Sequence, residues 1–248
     1  MGGLDERWTE MEGLRLFSRA APGGGPTVVL VHGISVSSQY MVPLAKELAP
    51  DHDVHAPDLP GFGRSTKPRR TLPVGDLARS LAAWLDANGL ERPLLLGNSF
   101  GCQVVGDLLA RDSGRARAAV LVGATIDAHA RSWARQSFRW ARSAFRERPT
   151  LPFVVARDFL ASGPLRTIRT ADGALDDALE EKVARVPVPV LVVRGENDPI
   201  APQEWSETIA ARLPRGRLVV VPGAGHALNY SRPRDLGRIV RAFLAEVG

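Results

Sequence analysis

Ser99 stands in the stretch Gly97-Asn98-Ser99-Phe100-Gly101, directly after the apolar run Pro93-Leu94-Leu95-Leu96. A serine hydroxyl is a poor nucleophile unless a base takes its proton, so chemistry at this position needs a histidine and a group to orient it. Two later stretches supply candidates. Arg194-Gly195-Glu196-Asn197-Asp198-Pro199 follows the strand-like run Val190 to Val193, and Pro222-Gly223-Ala224-Gly225-His226 follows Leu218 to Val221. The glycines also acquire a purpose: a sharp strand-to-helix turn strains the residue at its apex, and Gly97 and Gly101 let neighbouring backbone approach it. A helix opening at Phe100 would aim its N-terminal amides at the same point, where a developing oxyanion is stabilised. Each of the three residues also has a plain structural use, Ser99 as an N-cap, Asp198 with Pro199 as turn chemistry and His226 as a core histidine.

The elements that must bring these residues together alternate in type. Thr27 to Val31, Val54 to Ala56, Pro93 to Leu96, Ala118 to Val122, Val190 to Val193 and Leu218 to Val221 are short β-branched or Leu-rich runs, read as strands buried on both faces. Helical patterns lie between them at Tyr40 to Ala49, Val74 to Ala87, Phe100 to Ala110, Gln203 to Leu213 and Pro233 to Glu246. The expected class is α/β, a mostly parallel, doubly wound sheet flanked by helices. Arg7 to Phe17 alternates about Gly13 and predicts an antiparallel hairpin at the sheet edge. In such sheets ligands bind beyond the carboxyl ends of the strands. Ser99, Asp198 and His226 all fall there.

Composition narrows the partners. A chain of 248 residues with 44% hydrophobic and 24% charged residues is long enough for a sizeable core. The net charge of +5 raises the question of a polyanion, but the basic residues are scattered and only Lys46, Lys67 and Lys182 are lysines. No nucleic-acid partner is expected. No secretory segment opens the chain and no apolar run is long enough for a bilayer, so a cytoplasmic protein without a membrane partner is expected, monomeric or homodimeric. The single cysteine, Cys102, reads as a buried filler, and His52, His55 and His129 lack metal-ligand spacing. Neither a metal nor a cofactor is expected, because Gly61-Phe62-Gly63 and Gly223-Ala224-Gly225 lack the rest of a nucleotide fingerprint.

With Ser99, Asp198 and His226 in that order at three strand ends, the chain resembles an α/β-hydrolase. GNSFG matches the G-x-S-x-G nucleophile elbow, Val29-Leu30-Val31-His32-Gly33-Ile34 looks like the family's strand and oxyanion loop, and Asp58 to Ser65 is similar to a further family loop. The resemblance implies Ser99 as nucleophile, His226 as general base and then acid, Asp198 as the orienting carboxylate, and the backbone N–H groups of Ile34 and Phe100 as the oxyanion hole. Asp127 occupies an alternative acid position used by some relatives. His32 is read as shaping the oxyanion loop. Relatives often carry Glu five residues after the histidine; here Ser231 replaces it, and its contacts are expected to be missing. A serine nucleophile implies hydrolysis of a carboxylic ester, lactone or thioester through an acyl-serine intermediate. Carbon-carbon bond hydrolysis of vinylogous diketones is the alternative, because GNSFG is similar to the GNSMG elbow of those enzymes. A ligand receptor with little turnover is a third reading.

The segment from Thr125 to Val186 is too long for a usual crossover. It is read as a helical cap insertion, 125–186, in a core of 1–124 and 187–248. Arg131, Arg135, Arg139, Arg142 and Arg146 form one basic stripe at helical spacing, with Trp133 and Trp140 almost opposite and Phe138 and Phe145 on a flank. The plain reading is a surface helix. The sharper one makes Trp133, Trp140 and Phe138 the roof of an apolar acyl or aryl pocket, with one arginine meeting a substrate carboxylate or phosphate.

Overall fold

The computed structural model describes residues 4–11, 13–144 and 147–248, so Phe145 and Arg146 of the arginine and aromatic pattern, like Glu12 and the first three residues, lie outside the described residues. Two antiparallel strands open the chain, β1 (Asp5–Met11) and β2 (Leu14–Ala21). Then come β3 (Thr27–Val31), α1 (Ser38–Leu48), β4 (Asp53–Pro57), α2 (Val74–Ala87), β5 (Leu94–Asn98), α3 (Phe100–Arg111) and β6 (Ala118–Val122). Four helices follow, α4 (Trp133–Ala144), α5 (Leu151–Ser162), α6 (Pro164–Leu175) and α7 (Leu179–Val183). β7 (Val190–Gly195), α8 (Gln203–Arg212), β8 (Gly216–Val221), α9 (Leu228–Ser231) and α10 (Pro233–Val247) complete the chain.

The strands form one sheet in the order β1-β2-β4-β3-β5-β6-β7-β8, parallel from β4 through β8, with the expected hairpin at one edge. Period-two alternation sorts the side chains onto its two faces. Val29, Val31, Leu95, Ala119, Leu121 and Val192 face the layer containing Leu77, Leu81, Trp84, Val105 and Ile209 of α2, α3 and α8. Val28, Leu30, Leu96, Val120, Leu191 and Val193 face Met41, Leu44, Val240 and Phe243 of α1 and α10. Both faces are covered, which is why the central strands are apolar throughout.

β8 departs from this pattern. It is the far edge strand and Leu218, Val219 and Val220 are only half-buried, so the expectation of burial on both faces does not hold there. In α7, Leu179 and Val183 belong to the same buried layer as Val105 of α3 and Ile209 of α8. Among the described residues no helix is long and apolar enough to cross a membrane.

Strand order reverses between β3 and β5, with β4 on one side and β6 on the other. That reversal opens a crevice beyond the carboxyl ends of β3 and β5. The loops after both strands meet there.

Candidate active site

Ser99 is the single residue between β5 and α3 and holds φ +54°, ψ −120°. A non-glycine residue in that left-handed region costs about 1–3 kcal/mol and persists only where its surroundings hold it in place. They do so here: the Ser99 N–H donates to Val122 O at 2.9 Å, and the Asn98 side-chain amide donates to the same oxygen at 3.3 Å. Gly101 allows the turn to be this tight, since a methyl group there would strike the Val31 carbonyl oxygen. Cys102, buried in the first turn of α3, points its thiol at Gly97 O, and burial raises its proton affinity strongly.

Asp198 and His226 come from the loops after β7 and β8. Oδ1 of Asp198 accepts the N–H groups of Ile200 at 2.8 Å and Ala201 at 3.1 Å. This leaves Oδ2 for His226 Nδ1, 2.8 Å away. Arg194, buried at the end of β7, braces the loop by donating to the carbonyls of Glu196, Asp198 and Ala201. Burial pulls the His226 imidazole toward its neutral form, but the charge of Asp198, its hydrogen bond and the charge of Glu147 together outweigh burial, and the pKa rises above the ordinary 6.5. With Nδ1 directed at Asp198, the other ring nitrogen has no hydrogen-bond partner among the described residues. Ser99 and His226 line one cavity of about 450 Å³.

Ile34 also lines this cavity, and Phe100 N is the first amide of α3. Neither main-chain N–H donates a hydrogen bond among the described residues. His32 is fully buried behind this loop. Its Nε2 accepts the Leu59 N–H at 3.0 Å, which assigns the ring proton to Nδ1, 2.7 Å from Gly33 O. Burial, the largest influence on His32, holds it neutral.

Of the roof residues expected from the sequence, Trp140 lines the cavity; Trp133 and Phe138 do not. Trp133 and Trp140 share a helix face but stand seven residues apart, about 10 Å along the axis. α4 lines this cavity with its C-terminal half, through Trp140, Ser143 and Ala144. Trp133 reaches Asp172 of α6 instead, donating from Nε1 at 2.7 Å, and Phe138 is 68% exposed. Two arginines of the stripe are paired away from the cavity as well: Arg131 with Glu180 at 2.7 Å and Arg139 with Asp127 at 2.8 Å. Asp127 uses its other oxygen to cap the His129 N–H, so both of its oxygens are engaged away from His226.

Two residues near the dyad escaped the sequence reading. Gly123 follows β6 at φ +56°, and a methyl group there would lie 2.8 Å from His226 Nδ1 and 3.2 Å from Asp198 Oδ2. Its only sequence signal is a glycine directly after a strand. Glu147, between α4 and α5, lines the cavity and accepts the Ala227 N–H on Oε1 at 2.9 Å and the Ser231 hydroxyl on Oε2 at 2.5 Å. Ser231 therefore does not leave its surroundings without a carboxylate. The acid arrives from the helical insertion, 84 residues earlier in the chain.

Comparison with known proteins agrees with this architecture. Residues 28–238 match the model of the Alpha/beta hydrolase family. Esterase YbfF of Escherichia coli (strain K12) is 25% identical over 236 residues, covering 88% of this chain and 92% of the relative. A pimeloyl-(acyl-carrier protein) methyl ester esterase of Xanthomonas campestris pv. campestris (strain B100) is 27% identical over 250 residues, covering 90% and 96%. The solved structure of a thermophilic esterase from Thermogutta terrifontis superimposes with a TM-score of 0.82 at 23% identity, covering 98% of this chain and 99% of that one, a likeness of fold. With a strained serine after β5, an eight-stranded sheet of this order and a family match spanning most of its length, the chain belongs to the alpha/beta hydrolase family of enzymes.

Proposed function

We propose that the protein hydrolyses carboxylic esters, lactones or thioesters through an acyl intermediate on Ser99. His226 takes the Ser99 proton as the hydroxyl attacks the carbonyl carbon, then gives it to the leaving alkoxide or thiolate. A water molecule, deprotonated by the same imidazole, attacks the acyl carbon; the bond from that carbon to Ser99 Oγ breaks, the imidazolium returns its proton to Oγ, and the acid leaves. Asp198 holds the ring in the tautomer that leaves the second nitrogen unprotonated and supports the imidazolium formed in each half-reaction. The main-chain N–H groups of Ile34 and Phe100 stabilise the tetrahedral oxyanion; removal of one such donor commonly costs about 10²–10³ in rate. The helical insertion acts as a cap whose α4 and α5 enclose an apolar acyl or aryl group of the substrate.

The observation that carries this reading is the Asp198–His226 hydrogen bond of 2.8 Å beside a strained Ser99 that shares the histidine's cavity. The esterase relatives, aligned over nearly their whole length, favour ester bonds as the target. The test is labelling by a fluorophosphonate together with multiple turnovers of a short p-nitrophenyl ester. Stoichiometric modification of Ser99, and loss of both signals in Ser99→Ala, are the expected results. Labelling without turnover on an ester, lactone, thioester and diketone panel would replace the enzyme reading by a ligand receptor.

A further inference from the structure

The cavity over Ser99 is walled mainly by apolar and aromatic groups, among them Trp140, Leu151, Val155 and Phe159. Among the described residues its ionisable lining consists of His226, Tyr40 and Glu147, and no lysine or arginine lines it. Two arginines of the stripe on α4 and the turn before it are committed elsewhere, Arg131 to Glu180 and Arg139 to Asp127. Glu147 is thus an acid in a space built for apolar matter.

Its hydrogen bonds do not explain its charge. The donors on its two oxygens, the Ala227 N–H and the Ser231 hydroxyl, are both neutral. A glutamine would serve them equally, its oxygen accepting from the amide and its NH₂ donating to the hydroxyl. A carboxylate can accept about four hydrogen bonds, and among the described residues this one accepts two. Its field is felt across the cavity: the Tyr40 hydroxyl, pushed up first by burial, is pushed further by Glu147.

We propose that Glu147 makes the cavity a charge filter, which admits uncharged and ammonium-bearing substrates and turns away those bearing a carboxylate or phosphate. An anionic ligand would place a second negative charge beside Glu147 among apolar walls where, among the described residues, no lysine or arginine lines the cavity to offset it. A cationic one finds a carboxylate and the aromatic faces of Trp140, Tyr40 and Phe159. The substrate class named here rests on the hydrolase reading, whereas the filter itself concerns binding alone.

The experiment measures binding and turnover separately. Calorimetric titration of pentyltrimethylammonium and of hexanoate, at a pH high enough to keep His226 neutral, compares two ligands of similar length and opposite charge. Wild-type protein is expected to favour the cation by about tenfold or more, the effect of a unit charge about 6 Å away across a partly wetted site. In Glu147→Gln, which keeps both hydrogen bonds, the ratio of the two dissociation constants should fall by about tenfold, and added salt should narrow the wild-type ratio. Equal affinities in the wild type, tighter binding of hexanoate, or a ratio that Glu147→Gln moves by less than about twofold would each overturn the filter. The wild-type comparison decides even if the variant folds poorly. Turnover of neutral p-nitrophenyl butyrate reports on the hydrolase reading by itself: turnover without charge discrimination removes the filter alone, and discrimination without turnover removes the ester chemistry alone.

Discussion

Asp198→Asn keeps the shape of the side chain and exchanges one acceptor for a donor, which makes its consequence calculable from the contacts. In the productive tautomer His226 carries its proton on Nδ1 and needs an acceptor 2.8 Å away. Asparagine provides that acceptor only by turning its oxygen toward the ring, which points its NH₂ at the main-chain N–H groups of Ile200 and Ala201. Two buried donors then lose the oxygen they now share at 2.8 and 3.1 Å. At about 1–3 kcal/mol for each unsatisfied buried donor, the productive arrangement becomes about 2–6 kcal/mol less favourable, equivalent to about a 30-fold to 10⁴-fold loss of kcat. The alternative is no better. If the amide keeps its oxygen on the two N–H groups, its NH₂ meets Nδ1, the ring proton moves to the nitrogen facing the serine side, and the base is blocked. The assay is kcat for p-nitrophenyl butyrate above the acid limb of the pH profile, with thermal unfolding to show that the variant is folded. A kcat within about threefold of wild type, in a folded variant, would refute the reasoning.

Three further outcomes follow from the same geometry. The kcat/KM profile should lose activity as pH falls through a value above 6.5, because His226, as the proposed base, must be neutral and its pKa is raised by Asp198 and Glu147 against the pull of burial; a limb below 6.5 contradicts this. For stability the sign is opposite: a raised histidine pKa favours the folded state below the unfolded value, and that contribution disappears as pH rises through the native value. Gly123→Ala should lower unfolding stability by about 1–3 kcal/mol and sharply reduce turnover, since φ +56° is strained for alanine and the methyl group meets His226; denaturant unfolding and kcat are the measurements, and an unperturbed pair of values would exclude the contact. Trp140→Ala should change the preferred acyl length in a series of p-nitrophenyl esters while Trp133→Ala leaves it where it was, because only the former side chain lines the cavity; equal responses would reject the assignment.

The framework of the site was legible because each candidate closes a short apolar run. Ser99, Asp198 and His226 follow β5, β7 and β8, and the alternation of strands with helical patterns already placed those ends on one edge. The hairpin at the opposite end was legible from its period-two pattern about Gly13. What escaped depends on distances that periodicity does not carry. A helical wheel gives the angle of Trp133 and Trp140 but not which turn of α4 overlies the crevice. Asp127 looks available as an acid in the sequence, and only the folded chain brings Arg139 to it. The replacement of an acid at Ser231 by one at Glu147 is a contact across 84 residues, invisible to any local rule. Leu218 to Val220 reads as interior strand because its residues are apolar, while its edge position is decided by the order of strands.

With Ser99 as the proposed nucleophile, its backbone sets stability and activity against each other at one residue. A left-handed apex suits glycine, which reaches that region without steric penalty, so Ser99→Gly should fold more firmly than the native chain. It would also lose the hydroxyl. The most direct route to a sturdier protein therefore leads through an inert one, and a selection for thermal endurance alone would be expected to remove this serine early.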